Sequence, residues 1–400
     1  MSKISIRDLW IILAGYLAAM HVGKLSAIIP ILQQDLGLSF TQAGFSLSLV
    51  QGAGMLFALC IGAFSEKVGL KRCMILALII LGLSSIAGLW IQHATALYFF
   101  RFTEGIGFLT ISLCAPAILK RISRPETLNF KMGLWSSYMG VGVSLAVFSI
   151  PVLLEYLNWQ NIWAILGSLC LIIAGIIKRY LRIDSMAFAS NTIPQPVPSN
   201  TSFWQIVKVT LTHPPILCLA IIFACYTSQW ITVTGFLPSM YVEHGIDLKV
   251  AGVLVSIVVL ANLGGTFGAG MLLQRGWKPK TLFSTGFTAM LCSSFLAFAA
   301  SSWLMFDLQF ISAVLFSLIG GIIPTTVFAI TLQHAPRANA AAASVGLVLQ
   351  LSACAQFFVP PLSAALVSTT QNWAYIAAVT ASLSILGILM TLLLFKHYGQ

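Results

Sequence analysis

Four ionisable residues lie inside apolar runs of the sequence, where charge is costly. His21 and Lys24 belong to the first run, and Arg101 and Glu104 belong to a later one. A charged group in such an environment costs several kcal/mol unless it is paired or hydrated, so it is a candidate for solute binding or proton transfer. His21 precedes Lys24 by three residues and faces a similar side of a helix, where a histidine can exchange a proton near neutral pH.

The spacing of these residues leaves two interpretations open. Arg101 and Glu104 are three residues apart and can pair on one helix face, which would be a purely structural role. Lys24 would then remain as an unbalanced positive charge, and the group would sum to +1 and favour an anion. Alternatively, Lys24 extends its side chain to the outer interface, and the same caution applies to Arg101.

A second set of candidates lies in the seventh apolar run. Tyr226, Gln229 and Trp230 follow the i, i+3, i+4 spacing that places them on one helix face. Each one singly is more typical of a hydrogen bond between packed helices or of filler than of a substrate contact. Because they share a face, we rank them first among the candidate substrate contacts of the second half.

The elements that must position these residues are membrane-spanning helices. Hydrophobic residues make up 58% of the 400, charged residues make up 8%, and the mean hydropathy is +0.95. Inside a bilayer the backbone must satisfy its own hydrogen bonds, so apolar runs of about 20 residues are predicted to be helices. Twelve such runs occur, at 8–32, 41–64, 73–91, 97–119, 131–154, 159–178, 214–240, 250–273, 281–301, 307–332, 340–366 and 373–395. The predicted fold is an all-α membrane protein with twelve transmembrane helices.

The basic residues predict the orientation of these helices. With a cytoplasmic N-terminus, 18 of the 21 Lys and Arg residues fall on the inside, as the positive-inside rule requires. Both termini are then cytoplasmic, and the net charge of +11 reflects topology rather than a nucleic-acid partner.

The chain is predicted to divide into two six-helix bundles. Residues 183–202 contain three prolines at alternate positions and read as a linker between bundles at 1–182 and 203–400. The halves are weakly alike, since Asn158-Trp159 in the first corresponds to Asn372-Trp373 in the second. Such a repeat implies pseudo-symmetric bundles.

Charge is also concentrated in the loop between the second and third runs, GAFSEKVGLKR at 62–72. This loop resembles the Gly-x-x-x-Asp-Arg-x-Gly-Arg-Lys pattern of the major facilitator superfamily, with Glu66 in place of Asp. The stretch Arg101-Phe-Thr-Glu104-Gly105-Ile-Gly107 is similar to that family's Arg-x-x-x-Gly-x-Gly pattern. The loop residues that carry the resemblance are Gly62, Glu66, Lys67, Gly69, Lys71 and Arg72.

The resemblance implies secondary transport by alternating access, with this loop as a gate. Glu66 would meet the positive N-terminal end of the eleventh helix near Asn339, latching the two halves on the cytoplasmic side. The alternative is that the loop charges serve topology alone. From its first span onward, the sequence is also similar to the cyanate and nitroimidazole transporter branch, whose substrates are small anions or small polar solutes.

The sequence favours a solute carrier over other membrane proteins. It contains no Gly-x-x-x-x-Gly-Lys-Ser/Thr loop for ATP, and neither HExxH nor GxSxG, so we expect no enzyme, cofactor or metal site. Coupling would come from protons through Glu104 or His21; the alternative is uncoupled transport. A small organic anion is the preferred substrate, in symport or antiport. Proton-coupled drug or metabolite efflux is the alternative, although the usual glycine and proline pattern of drug exporters is absent from the fifth run. We expect a monomer in the bilayer of the bacterial inner membrane.

The latch makes one prediction. Glu66→Ala should cut transport while leaving membrane insertion intact, because it removes the gating charge and none of the apolar spans. Solute uptake and the amount of protein in purified membranes are to be measured together. Normal transport by a well-inserted Glu66→Ala variant would contradict the latch.

Overall fold

The computed structural model describes residues 5–123, 125–181, 208–299, 304–336 and 341–397. Throughout these ranges the regular secondary structure is helical. Ten helices of the described residues are long and apolar enough to cross a bilayer, and Tyr138–Leu153 is a shorter apolar helix. The prediction of an all-α membrane protein is confirmed.

The helices of the first half follow the predicted spans, with two spans each built from two pieces. The first span comprises α1 and α2, and the fifth comprises α6 and α7, which meet at Ser137. Asn158 caps the last helix of this half by accepting a hydrogen bond from the Asn161 amide at 3.0 Å. The helices are α1 (Ile6–Ser26), α2 (Ile29–Leu36), α3 (Phe40–Val68), α4 (Leu70–Ile86), α5 (Ala94–Ile122), α6 (Pro125–Ser136), α7 (Tyr138–Leu153) and α8 (Trp159–Tyr180).

The second half contains six further spans, of which the tenth is again built from two helices. Asp247 caps α10 through a 2.9 Å hydrogen bond from the Lys249 amide, and prolines occupy the first turns of α9 and α11, where their missing N–H has no intrahelical partner to lose. The helices are α9 (Pro214–Glu243), α10 (Leu248–Gln274), α11 (Pro279–Ser294), α12 (Phe306–Gly320), α13 (Ile322–Gln333), α14 (Ala341–Thr370) and α15 (Ala374–His397).

The chain divides into two compact units. The first comprises residues 1–37 and 49–197, and the second comprises residues 38–48 and 198–400. In the first unit α4 packs along α5 and α8, and α1 packs along α7; in the second α9 packs along α14 and α15. The predicted linker 183–202 lies outside the described residues, and the boundaries 1–182 and 203–400 stay predictions.

Residues 38–48, the first turns of α3, pack with the second unit. The Phe40 ring lies 4.9 Å from the Phe236 ring and 5.4 Å from the Trp373 ring, measured between centroids. One turn on, the hydroxyls of Thr41 and Ser368 are 3.2 Å apart. Aromatic packing and a hydroxyl contact therefore tie the start of α3 to α9 and α14.

The same kind of contact occurs once within each unit and supports their pseudo-symmetry. Trp159 at the start of α8 donates its indole N–H to Asp35 at the end of α2, with Nε1 and Oδ2 2.9 Å apart. Trp373, just before α15, donates in the same way to Glu243 at the end of α9, over 3.0 Å. In both units a carboxylate at the end of the first span holds a tryptophan at the start of the last span.

Close helix packing in the second unit depends on glycine. A Cβ atom added at Gly265 on α10 would lie 1.9 Å from the backbone oxygen of Leu318 on α12, so the two helices can approach this closely only without a side chain. Gly268, one turn further along α10, has nothing within 4 Å of the same position.

This pair of glycines gives a matched test of packing. Gly265→Ala should destabilise the purified protein by about 1–3 kcal/mol, because the added methyl forces α10 and α12 apart. Gly268→Ala is the control and should leave stability unchanged or slightly raised. The thermal midpoint in detergent checks both, and equal midpoints for the two variants would contradict this account of the packing.

Candidate functional site

The four ionisable residues of the sequence prediction meet in one cluster within the first unit. His21 and Lys24 project from α1, and Arg101 and Glu104 project from α5. All four side chains are fully buried, with 0% of their surface exposed. We call these four residues the ion cluster.

Glu104 lies between the two bases of the ion cluster. Its Oε1 accepts a hydrogen bond from Lys24 Nζ, and its Oε2 accepts one from Arg101 Nη1 at 2.6 Å. The expectation that Lys24 would remain outside the Arg101–Glu104 pair is therefore wrong: both cations share one carboxylate. The alternative that Lys24 extends to the interface is also wrong, because its side chain is buried and paired.

Lys24 is held by three further groups from α1, α4 and α8. Its ammonium donates to Ser85 Oγ at 2.8 Å, lies 3.2 Å from His21 Nδ1, and sits 3.8 Å from the centroid of the Trp163 ring. Ser85 in turn donates to the backbone oxygen of Trp163 at 2.8 Å. A cation over an indole face is attracted by the negative face of the ring, most strongly where water is excluded.

These contacts define the state of His21. A lysine ammonium can only donate, so Nδ1 of His21 is the acceptor and carries no proton. The remaining nitrogen, Nε2, lies 3.4 Å from Cys170 Sγ. His21 is therefore neutral, and its Nδ1 also lies 3.5 Å from Glu104 Oε1, the oxygen that Lys24 occupies.

Arg101 fixes α5 against α1 as well as balancing charge. Its Nη1 donates to the backbone oxygen of His21 at 2.8 Å in addition to Glu104. With His21 neutral, Lys24, Arg101 and Glu104 leave a net formal charge of +1. Chemically, the ion cluster can attract an anion, and it can take up a proton at His21 or Glu104.

The three predicted residues of α9 form hydrogen bonds to three different helices. Tyr226 donates to Asn262 Oδ1 on α10 at 3.2 Å, and Trp230 donates to Ser317 Oγ on α12 at 3.1 Å. Gln229 instead accepts from Ser384 Oγ on α15 at 2.9 Å and is fully buried. Their polar atoms are used in hydrogen bonds between helices of the second unit, and a substrate role for them stays a prediction.

Of the predicted gating residues, three have side chains outside the described residues: Gly62, Glu66 and Lys67. Asn339, the expected partner region, also lies outside them. Gly69 has φ of +101° immediately before α4, a conformation that favours glycine. Lys71 donates a 3.0 Å hydrogen bond to the backbone oxygen of Lys178, which lies in the last turn of α8. Arg72 is exposed.

Sequence reasoning missed several partners of the buried charges. Ser85, Trp163 and Cys170 carry no pattern that singles them out. It also missed an ion pair between Lys131 on α6 and the fully buried Asp8 on α1, with Nζ and Oδ2 2.7 Å apart. The Ser5-x-x-Asp8 spacing of a capping box was the available signal for Asp8.

Comparison with known proteins identifies the family of this chain. The family model described as Major Facilitator Superfamily matches residues 11–355. The cyanate transport protein CynX of Escherichia coli (strain K12) is 22% identical over 367 residues, 90% of each chain. The niacin transporter NiaP of Acinetobacter baylyi is 23% identical over 300 residues, 68% of each chain. For three other curated relatives, this chain matches only 59% to 64% of the relative's own length.

The fold agrees with that family. The inward-open xylose transporter XylE from Escherichia coli superposes with a TM-score of 0.77 at 14% sequence identity, covering 98% of this chain and 95% of XylE. At this identity the likeness concerns the fold alone. Because the family model matches residues 11–355, which is most of the chain, the chain belongs to the major facilitator superfamily.

Proposed function

We propose that this chain is a secondary transporter that moves a small organic anion across the bacterial inner membrane by alternating access. The observation that carries the proposal is the net formal charge of +1 on the ion cluster, fully buried in the first unit. A charge in a dry, low-dielectric interior acts much more strongly over several ångströms than the same charge in water. A site with this sign attracts anions and repels cations.

Two of the relatives support an anionic substrate. Cyanate and niacin, the solutes for which CynX and NiaP are named, are both small anions at neutral pH. A cationic drug would be repelled by the ion cluster, so drug efflux ranks below anion transport for this chain.

The contacts around Glu104 supply a route for proton coupling. An arriving anion draws Lys24 Nζ away from Glu104 Oε1 and from His21 Nδ1. His21 then has a free basic nitrogen 3.5 Å from a carboxylate oxygen that has lost its donor. It takes a proton there and replaces Lys24 at Glu104. One anion and one proton enter together, the local charge is unchanged, and each favours binding of the other.

Transport in liposomes tests the charge of the substrate. Nicotinate, nicotinamide and 1-methylnicotinamide, which is methylated on the ring nitrogen, have nearly the same shape and carry a negative, zero and positive charge. We expect nicotinate flux to exceed the other two by at least about tenfold, because about 1.4 kcal/mol of electrostatic preference suffices for that ratio. An interior more alkaline than the exterior should accelerate nicotinate uptake. A preference for the cation would overturn the proposal.

Two variants separate binding from coupling. His21→Asn should preserve exchange of nicotinate across the membrane without a gradient, but should lose the acceleration by a pH gradient, since asparagine cannot take the proton. Lys24→Gln should lower both activities at least about tenfold, because it removes the cluster's net positive charge.

Lys120→Gln, which removes an exposed lysine from the end of α5, is the matched control and should transport normally. Retention of the pH response by a folded His21→Asn protein would contradict the coupling route while leaving anion transport standing.

A further inference from the structure

A cysteine of α8 lies against the histidine of the ion cluster. Cys170 Sγ is 3.4 Å from His21 Nε2, and neither side chain is exposed. Because Nδ1 of His21 accepts a hydrogen bond from the Lys24 ammonium, the proton of the neutral ring is on Nε2. Nε2 therefore donates to the Cys170 sulfur, which is a weak acceptor. The two ring nitrogens thus have different partners, Lys24 at Nδ1 and Cys170 at Nε2.

Helix packing holds Cys170 in this place. Trp163, Gly167 and Cys170 follow each other at spacings of four and three residues and share the buried face of α8. A Cβ atom added at Gly167 would lie 2.5 Å from the backbone oxygen of Gly82 on α4, so α8 comes this close to α4 only without a side chain there. Cys170 follows Gly167 by nearly one turn. The backbone contact between α4 and α8 therefore sets the position of the sulfur.

The charged groups near His21 lie at its other ring nitrogen or at its backbone. Glu104 Oε1 and Lys24 Nζ lie near Nδ1, and Arg101 donates to the His21 backbone oxygen. The described ionisable side chains of α6 and α7 have partners elsewhere: Lys131 pairs with Asp8, and Tyr138 donates to Ser112. Within the part of the chain that the structure describes, the hydrogen bond at Nε2 is the one to the Cys170 thiol.

The contact at Nε2 matters most when His21 is charged. In the proposed coupling route, Lys24 leaves Nδ1, and this nitrogen takes up a proton from the outer side. The ring then donates through both nitrogens, to Glu104 at Nδ1 and to Cys170 at Nε2. A hydrogen bond from a charged donor is stronger than one between neutral groups, so the thiol stabilises the protonated ring more than the neutral ring. Without an acceptor at Nε2, the protonated ring would bury an unpaired N–H.

We propose that Cys170 is a positioning residue for proton coupling. Its sulfur keeps the proton of the resting ring on Nε2, so that Nδ1 is the nitrogen that faces Glu104 and receives the transported proton. The same sulfur stabilises the ring once that proton has arrived. The inference rests on the proposed proton-coupled anion transport and adds a residue to its coupling route. Cys170 acts through His21 and contacts no substrate.

Two substitutions that differ by one oxygen atom test this role. Cys170→Ala removes the acceptor, whereas Cys170→Ser replaces the sulfur by a hydroxyl that can accept from Nε2. A serine on α8 can do so even when its own proton is bonded to the helix backbone, as that of Ser168 is to Ala164 at 2.8 Å, because a hydroxyl has two acceptor lone pairs. Each protein is reconstituted as the full chain in liposomes.

The quantity measured is nicotinate uptake with a pH gradient divided by uptake without one, as a function of external pH. Cys170→Ala should need a proton concentration about three- to tenfold higher than wild type for half of the maximal acceleration, because a hydrogen bond to the charged ring is lost. Cys170→Ser should stay within about twofold of wild type. A role in packing alone would affect both variants alike, since both shorten the side chain by the same sulfur atom.

Cys114→Ala is the control for the loss of a buried thiol. Cys114 is also fully buried, but it lies about 15 Å along α5 from Glu104, so this variant should keep the wild-type pH dependence. The inference is overturned if folded Cys170→Ala keeps that dependence too, or if Cys170→Ser shifts as far as Cys170→Ala. In either case proton-coupled transport still stands.

A different result separates this inference from the proposed function. If wild-type nicotinate uptake does not respond to pH, the coupling route fails, and this inference fails with it. If Cys170→Ala does not yield a monodisperse protein, Cys170→Val and Cys170→Thr, which also differ in a hydroxyl, are judged by the same outcomes.

Discussion

The first unit depends on one carboxylate shared by two cations. Glu104 accepts from Lys24 on α1 and from Arg101 on its own helix, and none of the three side chains is exposed. A buried charge without a partner is strongly destabilising, so loss of Glu104 would leave two cations to be dehydrated without compensation. The same requirement fixes the rotation of α1 against α5 and brings Ser85 and Trp163 around the ammonium. Helix packing and the net charge of the ion cluster in this unit therefore have a common origin.

The two units repeat a helix contact, but they differ in the polar groups that they bury. The contact between carboxylate and tryptophan recurs, as Asp35 with Trp159 and as Glu243 with Trp373. Among the described residues, the interior of the second unit joins α9, α10 and α12 through neutral groups of Tyr226, Asn262, Trp230 and Ser317. The first unit instead buries the ionised groups of the ion cluster. Among the described residues, this cluster thus lies in one of two pseudo-symmetric halves.

The sequence predicts the helices well because bilayer thickness and backbone hydrogen bonding leave few alternatives for a run of 20 apolar residues. It also identifies His21, Lys24, Arg101 and Glu104, since charge inside such runs is rare. It cannot show that Lys24 pairs with Glu104, 80 residues away, because helical periodicity gives a face and not the neighbour on that face. The same limit explains why Tyr226 and Gln229, placed on one predicted face, bond to different helices.

The completeness of the Lys24 contacts has a consequence for transport. A carboxylate, a hydroxyl, an imidazole and an indole face already surround the ammonium, so under the proposed function an anion would have to replace these existing contacts. The net affinity is then the difference between two well-satisfied states and stays modest. A carrier needs such a balance, because a solute bound too tightly on one side of the membrane is not released on the other. In the proposed coupling route, His21 would replace Lys24 at Glu104, which would lower the cost of the exchange and link it to a proton.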